Sequence, residues 1–162
     1  MRANRSQPDP DMGTSENLRA RAIGLLARRE YTRAELKRKL AAEPEMLEQI
    51  DPLLDDLASR SLLSDARYAE QRVSARGRRL GNSRLRHELQ TAGVAPELID
   101  STLAGAASET ERAKELWKRK FGSPAADRNE QAKQTRFLQM RGFSSDVIRQ
   151  VLRDAIEECA DE

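Results

Sequence analysis

The stretch Leu89-Gln-Thr-Ala-Gly93-Val94-Ala-Pro-Glu-Leu98-Ile99 occurs twice. Forty-nine residues later the chain reads Leu138-Gln-Met-Arg-Gly142-Phe143-Ser-Ser-Asp-Val147-Ile148. Leu, Gln, Gly, an apolar residue, an acid, an aliphatic and Ile fall in one register. The same step backwards from Leu89, Ile99 and Leu103 lands on Leu40, Ile50 and Leu54, and forwards from Leu103 on Leu152. A period of this length marks a repeat protein, in which each unit buries its apolar face against a neighbour.

The 162 residues are 38% hydrophobic and 35% charged, with 4% aromatic. This usage suits helices rich in Ala, Leu, Arg and Glu and disfavours a β sandwich. A mean hydropathy of -0.78 fits an elongated array with much surface for its core. No apolar run reaches the roughly 18 residues of a membrane span, and no signal region opens the chain, so a cytoplasmic protein with no membrane partner is expected. The lone Cys159 fits a reducing compartment. Its acidic neighbours would raise a thiol pKa, which argues against reactivity.

Read in order, residues 1–16 form a disordered tail containing Pro8, Pro10 and Gly13. A first helix is predicted from about Asn17 to Arg29, with Leu18, Ala22, Leu25 and Leu26 on one stripe. Thr32-Arg-Ala-Glu35 is a capping box that starts the second, and Tyr31 and Leu36 have the spacing of a hydrophobic staple. A third carries Leu47, Ile50, Leu54 and Leu57. There Pro52 either follows an Asp51 cap or lies inside a helix that starts earlier; the repeat register favours the earlier start. Three helices thus make a unit over 17–63. A second unit, 64–106, opens on Ser64 as N-cap, and Gly93 ends its middle helix in the left-handed conformation before Pro96 opens the next. A third, 107–157, opens on the capping box Ser108-Glu-Thr-Glu111, with Trp117 read as core. An acidic tail, 158–162, closes the chain. Aligning Ala22, Ala69 and Ala113 gives steps of 47 and 44 for the first helices. The expected fold is all-α: tandem three-helix, helix-turn-helix-like repeats in an elongated curved array.

No catalytic constellation is visible. The one histidine, His87, sits beside Glu88 on a helix flank with no nucleophile near it in sequence. Cys and His are too few for zinc, so no metal site is expected. Gly77 and Gly81 lack P-loop spacing. Asp55 and Asp56 point about 100° apart on a helix, which suits surface acids better than a metal pair. No enzyme activity and no cofactor are therefore expected.

What remains is charge. Arg19 to Lys39 holds eight bases against two acids, and Glu43 to Asp56 six acids and no base. Ala66 to Gln90 holds seven arginines against two acids, and Asp154 to Glu162 five acids and no base. Such blocks can neutralise one another or present a basic face to an anionic partner. Arg72, Arg76 and Arg79 share a helix face if the helix continues through Gly77, and Arg84 and Arg86 open the next helix. Lys118, Arg119 and Lys120 give the third unit a similar patch, with Arg128 nearby. Arginine forks suit carboxylates and phosphates. Aromatic stacking platforms are nearly absent from these patches.

Leu62-Leu63-Ser-Asp65-Ala-Arg67-Tyr68-Ala69, followed by Arg76, Gly81, Arg84-Leu-Arg-His-Glu88-Leu89 and Gly93, resembles the RecX family of bacterial regulators. Leu25-Leu26-Ala-Arg-Arg-Glu30-Tyr31-Thr32, with Glu35-Leu36 and Lys39-Leu40, looks like its N-terminal repeat. Lys133, Arg136-Phe137-Leu138 and Arg141-Gly142-Phe143 look like its C-terminal one. The resemblance covers about Leu18 to Leu152. Ser64, where many members carry an acid, and Gly81-Asn82-Ser83, where a Pro or second Gly is common, depart from the pattern at turns. The resemblance implies tandem three-helix repeats and a non-enzymatic protein that binds the RecA recombinase and its nucleoprotein filament. It further implies modulation, usually inhibition, of ATP hydrolysis and strand exchange, and so a place in recombination, repair and the SOS response.

The leading expectation is a monomeric regulator lying along the filament groove. Its partner and DNA-phosphate contacts are expected at Arg72, Arg76, Arg79, Arg84, Arg86, Lys118, Arg119 and Lys120. A general DNA- or RNA-binding helical protein without a recombinase partner is the second reading. An adaptor using the acidic Glu43–Asp56 face is the third.

Overall fold

The computed structural model describes residues 10–41 and 47–160, with side chains from Ser15 onward. Among these it has nine α-helices and no strand: α1 (Pro10–Leu26), α2 (Arg33–Leu40), α3 (Leu47–Ser59), α4 (Asp65–Arg76), α5 (Asn82–Thr91), α6 (Pro96–Gly105), α7 (Glu109–Lys120), α8 (Arg128–Met140) and α9 (Ser145–Ala160). Residues 1–9 of the expected tail, Glu43 and Glu45 of the acidic block, and Asp161 and Glu162 lie outside the described residues. Internal contacts divide the chain into two compact units, 1–68 and 69–162, with the division falling inside α4.

In the first unit the core is Leu18, Ala22, Tyr31, Leu36, Leu40, Ile50, Leu54, Leu57 and Leu63. The capping box forms: the Glu35 amide donates to Thr32 Oγ1 at 3.0 Å and the Thr32 amide to Glu35 Oε2 at 3.5 Å. Pro52 lies inside α3, five residues past its first described residue, as the register favoured. Two boundaries differ from the sequence reading. α1 begins at Pro10 rather than Asn17, and a proline fits the first turn because its amide would be unpaired there anyway. It ends at Leu26 rather than Arg29, where the Arg28 amide closes onto Leu25 O and the helix stops. The Arg29 guanidinium instead lies 3.6 Å from the Tyr31 ring centroid and pairs with Glu35 at 3.2 Å.

α3 ends on a Schellman motif in which Ser61, at φ 59°, occupies the left-handed position. The Leu62 amide donates to Leu57 O at 2.9 Å and the Ser61 amide to Ala58 O at 3.0 Å. The repeated Leu-x-x-x-Gly stretch builds the same motif twice in the second unit. Val94 and Gly93 amides return to Leu89 O and Gln90 O, and Phe143 and Gly142 amides to Leu138 O and Gln139 O. Gly93 and Gly142 have φ of 86° and 84°.

Successive repeats are tied by an acid. The Arg33 amide, first in α2, donates to Asp65 Oδ1 at 2.7 Å, and Asp65 is the first residue of α4. Asn82, first in α5, donates in the same way to Glu109 Oε1 of α7 at 2.7 Å. Each acid therefore satisfies a helix N-terminal amide of the preceding repeat and meets the positive end of that helix. In the third repeat the corresponding helix start is capped locally: Asp127 accepts from the Glu130 amide at 2.8 Å, and Glu130 from the Ala126 amide at 2.9 Å.

The third repeat packs Ala113, Leu116, Trp117, Leu138, Phe143, Ile148, Val151 and Ala155. In register with Leu36 and Leu85 stands Gln134, only 4% exposed. It accepts from Trp117 Nε1 at 2.8 Å and donates to Ser123 O at 3.2 Å. The polar residue at an apolar register position thus satisfies the indole of the buried Trp117. α9 runs through Ala160, so Glu158 belongs to a helix.

Candidate partner-binding surface

The structure sorts the basic residues by what neutralises them. α4 stops at Arg76, so the helix face expected to join Arg72, Arg76 and Arg79 does not extend through Gly77. The Gly77 carbonyl is taken up from 35 residues away. Arg112, 7% exposed, donates to Gly77 O at 3.0 Å, Leu80 O at 2.6 Å and Ala107 O at 3.1 Å, and also to Asn82 Oδ1. The Gly77 and Leu80 carbonyls turn toward this buried guanidinium instead of extending the helical ladder. Burial lowers the Arg112 pKa, partly offset by Glu109.

Arg72 and Arg76 converge on Glu88 at 3.7 and 3.0 Å. Arg86 pairs with Asp100, and Lys118 with Glu158 at 3.2 Å. These four expected contact residues already have carboxylate partners. The other four, Arg79, Arg84, Arg119 and Lys120, have no carboxylate partner among the described residues and are exposed. Their surroundings bring in two cations that the residue pattern did not single out as contacts, Arg78 and Arg141.

Three chain segments carry this open group. The Arg119 guanidinium donates to Arg78 O at 2.7 Å, joining the end of α7 to the α4–α5 turn. The Gly81 amide donates to Arg141 O at 2.8 Å and the Ser83 amide to Gly142 O at 3.2 Å, joining that turn to the α8–α9 turn. Contact is close enough to require glycine on both sides. A Cβ at Gly81 would stand 2.3 Å from the Gly142 carbonyl, and one at Gly142 would stand 2.8 Å from the Arg84 amide nitrogen. Lys120 and Arg141 both lie over the Phe137 ring, at 5.9 and 5.1 Å from its centroid. Phe121 meets that ring edge-on at 5.4 Å. Cation–π attraction to the Phe137 ring, rather than a carboxylate, holds both cations. The result is a strip of Arg78, Arg79, Arg84, Arg119, Lys120 and the half-buried Arg141 with no carboxylate partner among the described residues.

A groove of about 950 Å³ lies along α7 in the second unit. It is lined by Glu70, Glu111 and Glu115 as well as Arg78, Lys114 and Lys118, so its charges largely cancel. His87 and Cys159 are exposed. Asp55 pairs with Arg33 at 2.8 Å and Asp56 with Arg19 at 2.7 Å, so the two acids serve different partners. Among the described residues no three His, Cys, Asp or Glu side chains are placed to hold a metal ion. No helix among them is long and apolar enough to cross a membrane.

The fold and the open strip define a helical-repeat protein with a basic face and no assembled catalytic group among the described residues. Comparison with known proteins gives the family. Residues 64–103 match the model of the second three-helix domain of RecX, and 107–152 that of the third. Regulatory protein RecX of Leptothrix cholodnii is 50% identical over 143 residues, 88% of this chain and 91% of the relative. That of Ralstonia nicotianae is 44% identical over 149 residues, 90% and 94% of the two chains. The crystal structure of RecX from Lactobacillus salivarius superposes with a TM-score of 0.76, covering 87% of this chain and 96% of that one at 21% identity, a likeness of fold. The chain belongs to the RecX family of regulatory proteins.

Proposed function

We propose that this protein binds the RecA recombinase on its nucleoprotein filament and inhibits the filament's ATP hydrolysis and strand exchange without catalysing a reaction itself. The carrying observation is the open strip of six cations in a chain half identical to a regulatory protein RecX. A filament offers acidic protein surface and phosphate, and arginines without internal carboxylates engage such groups with no competing pair to break. Contact by one rigid face across adjacent recombinase protomers would oppose their ATP-coupled movement. The strip is proposed as that face, with Arg84, Arg119 and Lys120 at its centre and Arg72, Arg76 and Arg86 as paired residues behind it.

The test is the DNA-dependent ATPase of the recombinase, measured with and without a stoichiometric excess of this protein. Inhibition is expected, and it should weaken for Arg84→Gln/Lys120→Gln while Arg86→Gln stays near the parent. An unchanged ATPase with the parent protein sinks the reading. The DNA- or RNA-binding alternative is favoured instead if naked nucleic acid binds tightly near physiological salt and the recombinase adds nothing.

A further inference from the structure

Lys118 belongs to the same basic run as Arg119 and Lys120, yet it lies outside the open strip because Glu158 holds it. The Glu158 carboxylate takes Lys118 Nζ at 3.2 Å with one oxygen and Lys114 Nζ with the other. Lys114 and Lys118 are one turn apart on α7, so one acid covers a two-lysine extension of the strip. All three side chains are substantially exposed, at 32% for Lys114, 53% for Lys118 and 49% for Glu158. Their exchange for another anion therefore needs no opening of the core. The last buried residue of α9 is Ala155, and Ile156 to Ala160 are exposed. Glu158 thus sits on a helix end that can move without disturbing packing. Asp154 and Glu157 flank it, Asp161 and Glu162 follow in sequence, and no base occurs after Arg153.

We propose that the acidic end of α9 is an intramolecular competitor for the anionic partner: Glu158 occupies Lys114 and Lys118 and so fixes where the basic strip ends. A partner anion that displaces Glu158 gains two cations in the groove that Arg78 of the strip also lines. The free protein, with Glu158 in place, discriminates against weak or short polyanions. This rests on the strip being the contact face, but the lysine–glutamate competition is measurable by itself.

The probe is a single-stranded oligothymidylate, titrated by fluorescence anisotropy over a series of salt concentrations. Glu158→Gln is expected to tighten binding about two- to five-fold, the scale of releasing cations from exposed pairs. The slope of log affinity against log salt should steepen by about 0.7 for each lysine transferred to a phosphate of a single strand. Glu157→Gln makes the same change in net charge, and Glu157 has no ion pair among the described residues; it should have the smaller effect. Adding Lys114→Gln and Lys118→Gln to the Glu158 variant should return affinity and slope to the parent values. An unchanged slope in Glu158→Gln, an equal effect from Glu157→Gln, or tightening that survives loss of both lysines overturns the proposal. Failure of the underlying reading has a different signature: Arg84→Gln/Lys120→Gln leaves probe binding intact while Glu158→Gln still tightens it.

Discussion

The two compact units differ in how far they pair their cations. In residues 1–68 the basic block of α1 and α2 meets the acidic block of α3. Arg19 pairs with Asp56, Arg33 with Asp51 and Asp55, Lys37 with Asp51, and Arg67 with Glu30. Hydrogen bonds from Arg60 and Arg19 hold the Asp56 carboxyl below its ordinary value, and one from Lys37 does the same for Asp51. In residues 69–162 Arg72, Arg76 and Arg86 are matched in the same manner, but Arg78, Arg79, Arg84, Arg119, Lys120 and Arg141, in and beside the α4–α5, α7–α8 and α8–α9 turns, have no carboxylate partner among the described residues. The lesson is that similar basic blocks seen in sequence differ in how far they are neutralised, according to whether acidic side chains lie against them.

That contrast can be broken most severely at Arg112, which shapes the turn carrying half the strip. Arg112→Met keeps much of the side chain's volume but leaves the Gly77 and Leu80 carbonyls and Asn82 without their donor. A loss of about 3 kcal/mol is expected, since several buried hydrogen bonds to a charged group disappear together. Chemical denaturation followed by the fluorescence of Trp117, the chain's one tryptophan, reads this in the second unit. Gly81→Ala comes next, at roughly 2 kcal/mol, because a methyl group 2.3 Å from the Gly142 carbonyl must push the two turns apart. It should also weaken partner binding by spreading Arg84 and Arg141, which distinguishes it from a purely structural defect elsewhere.

Asp65→Ala should cost about 1 kcal/mol, the value of a helix-capping acceptor, and should loosen the tie between the first two repeats. Native-state hydrogen exchange at the Arg33 amide would show it. Ser61→Gly works in the other direction: relief of a left-handed serine should stabilise the first unit by about 1 kcal/mol, seen as a raised denaturation midpoint. Smallest is the acid response of the paired face. The Asp51 and Asp56 pKa values are lowered on folding, so their stabilisation is fully present above the unfolded carboxylate pKa of about 4. It is lost as pH falls through their lower folded values. Asp51→Asn/Asp56→Asn should flatten that acid dependence by slightly lowering stability near neutrality, with stability below the folded pKa values unchanged.

Much of this architecture was legible because its signals are local. Thr32 with Glu35 and Ser108 with Glu111 specify helix starts within four residues, and both capping boxes form. Gly93 and Gly142 fall one turn after the last buried leucine of α5 and α8 and adopt the left-handed conformation there. The 49-residue step of Leu40, Leu89 and Leu138 fixed which helices are equivalent, and all three leucines are fully buried. Gln134 was legible in principle: a polar residue in a leucine register, in a repeat that also carries the only tryptophan.

The proposed contact surface was legible only in part. The pattern named eight cations without indicating that Glu88, Asp100 and Glu158 neutralise four of them, because those partners lie 12 to 40 residues away and depend on helix packing. Nor could it stop α4 at Arg76, since the donor that redirects the Gly77 carbonyl comes from α7. By itself the sequence determined the all-helical repeat and its register, through helix capping, hydrophobic period and glycine conformation, all of which act within a few residues. Tertiary structure alone decided which charges remain open. Electrostatic neutralisation depends on which side chains approach within about 4 Å, and only the packed helices bring residues so far apart in the chain to that distance.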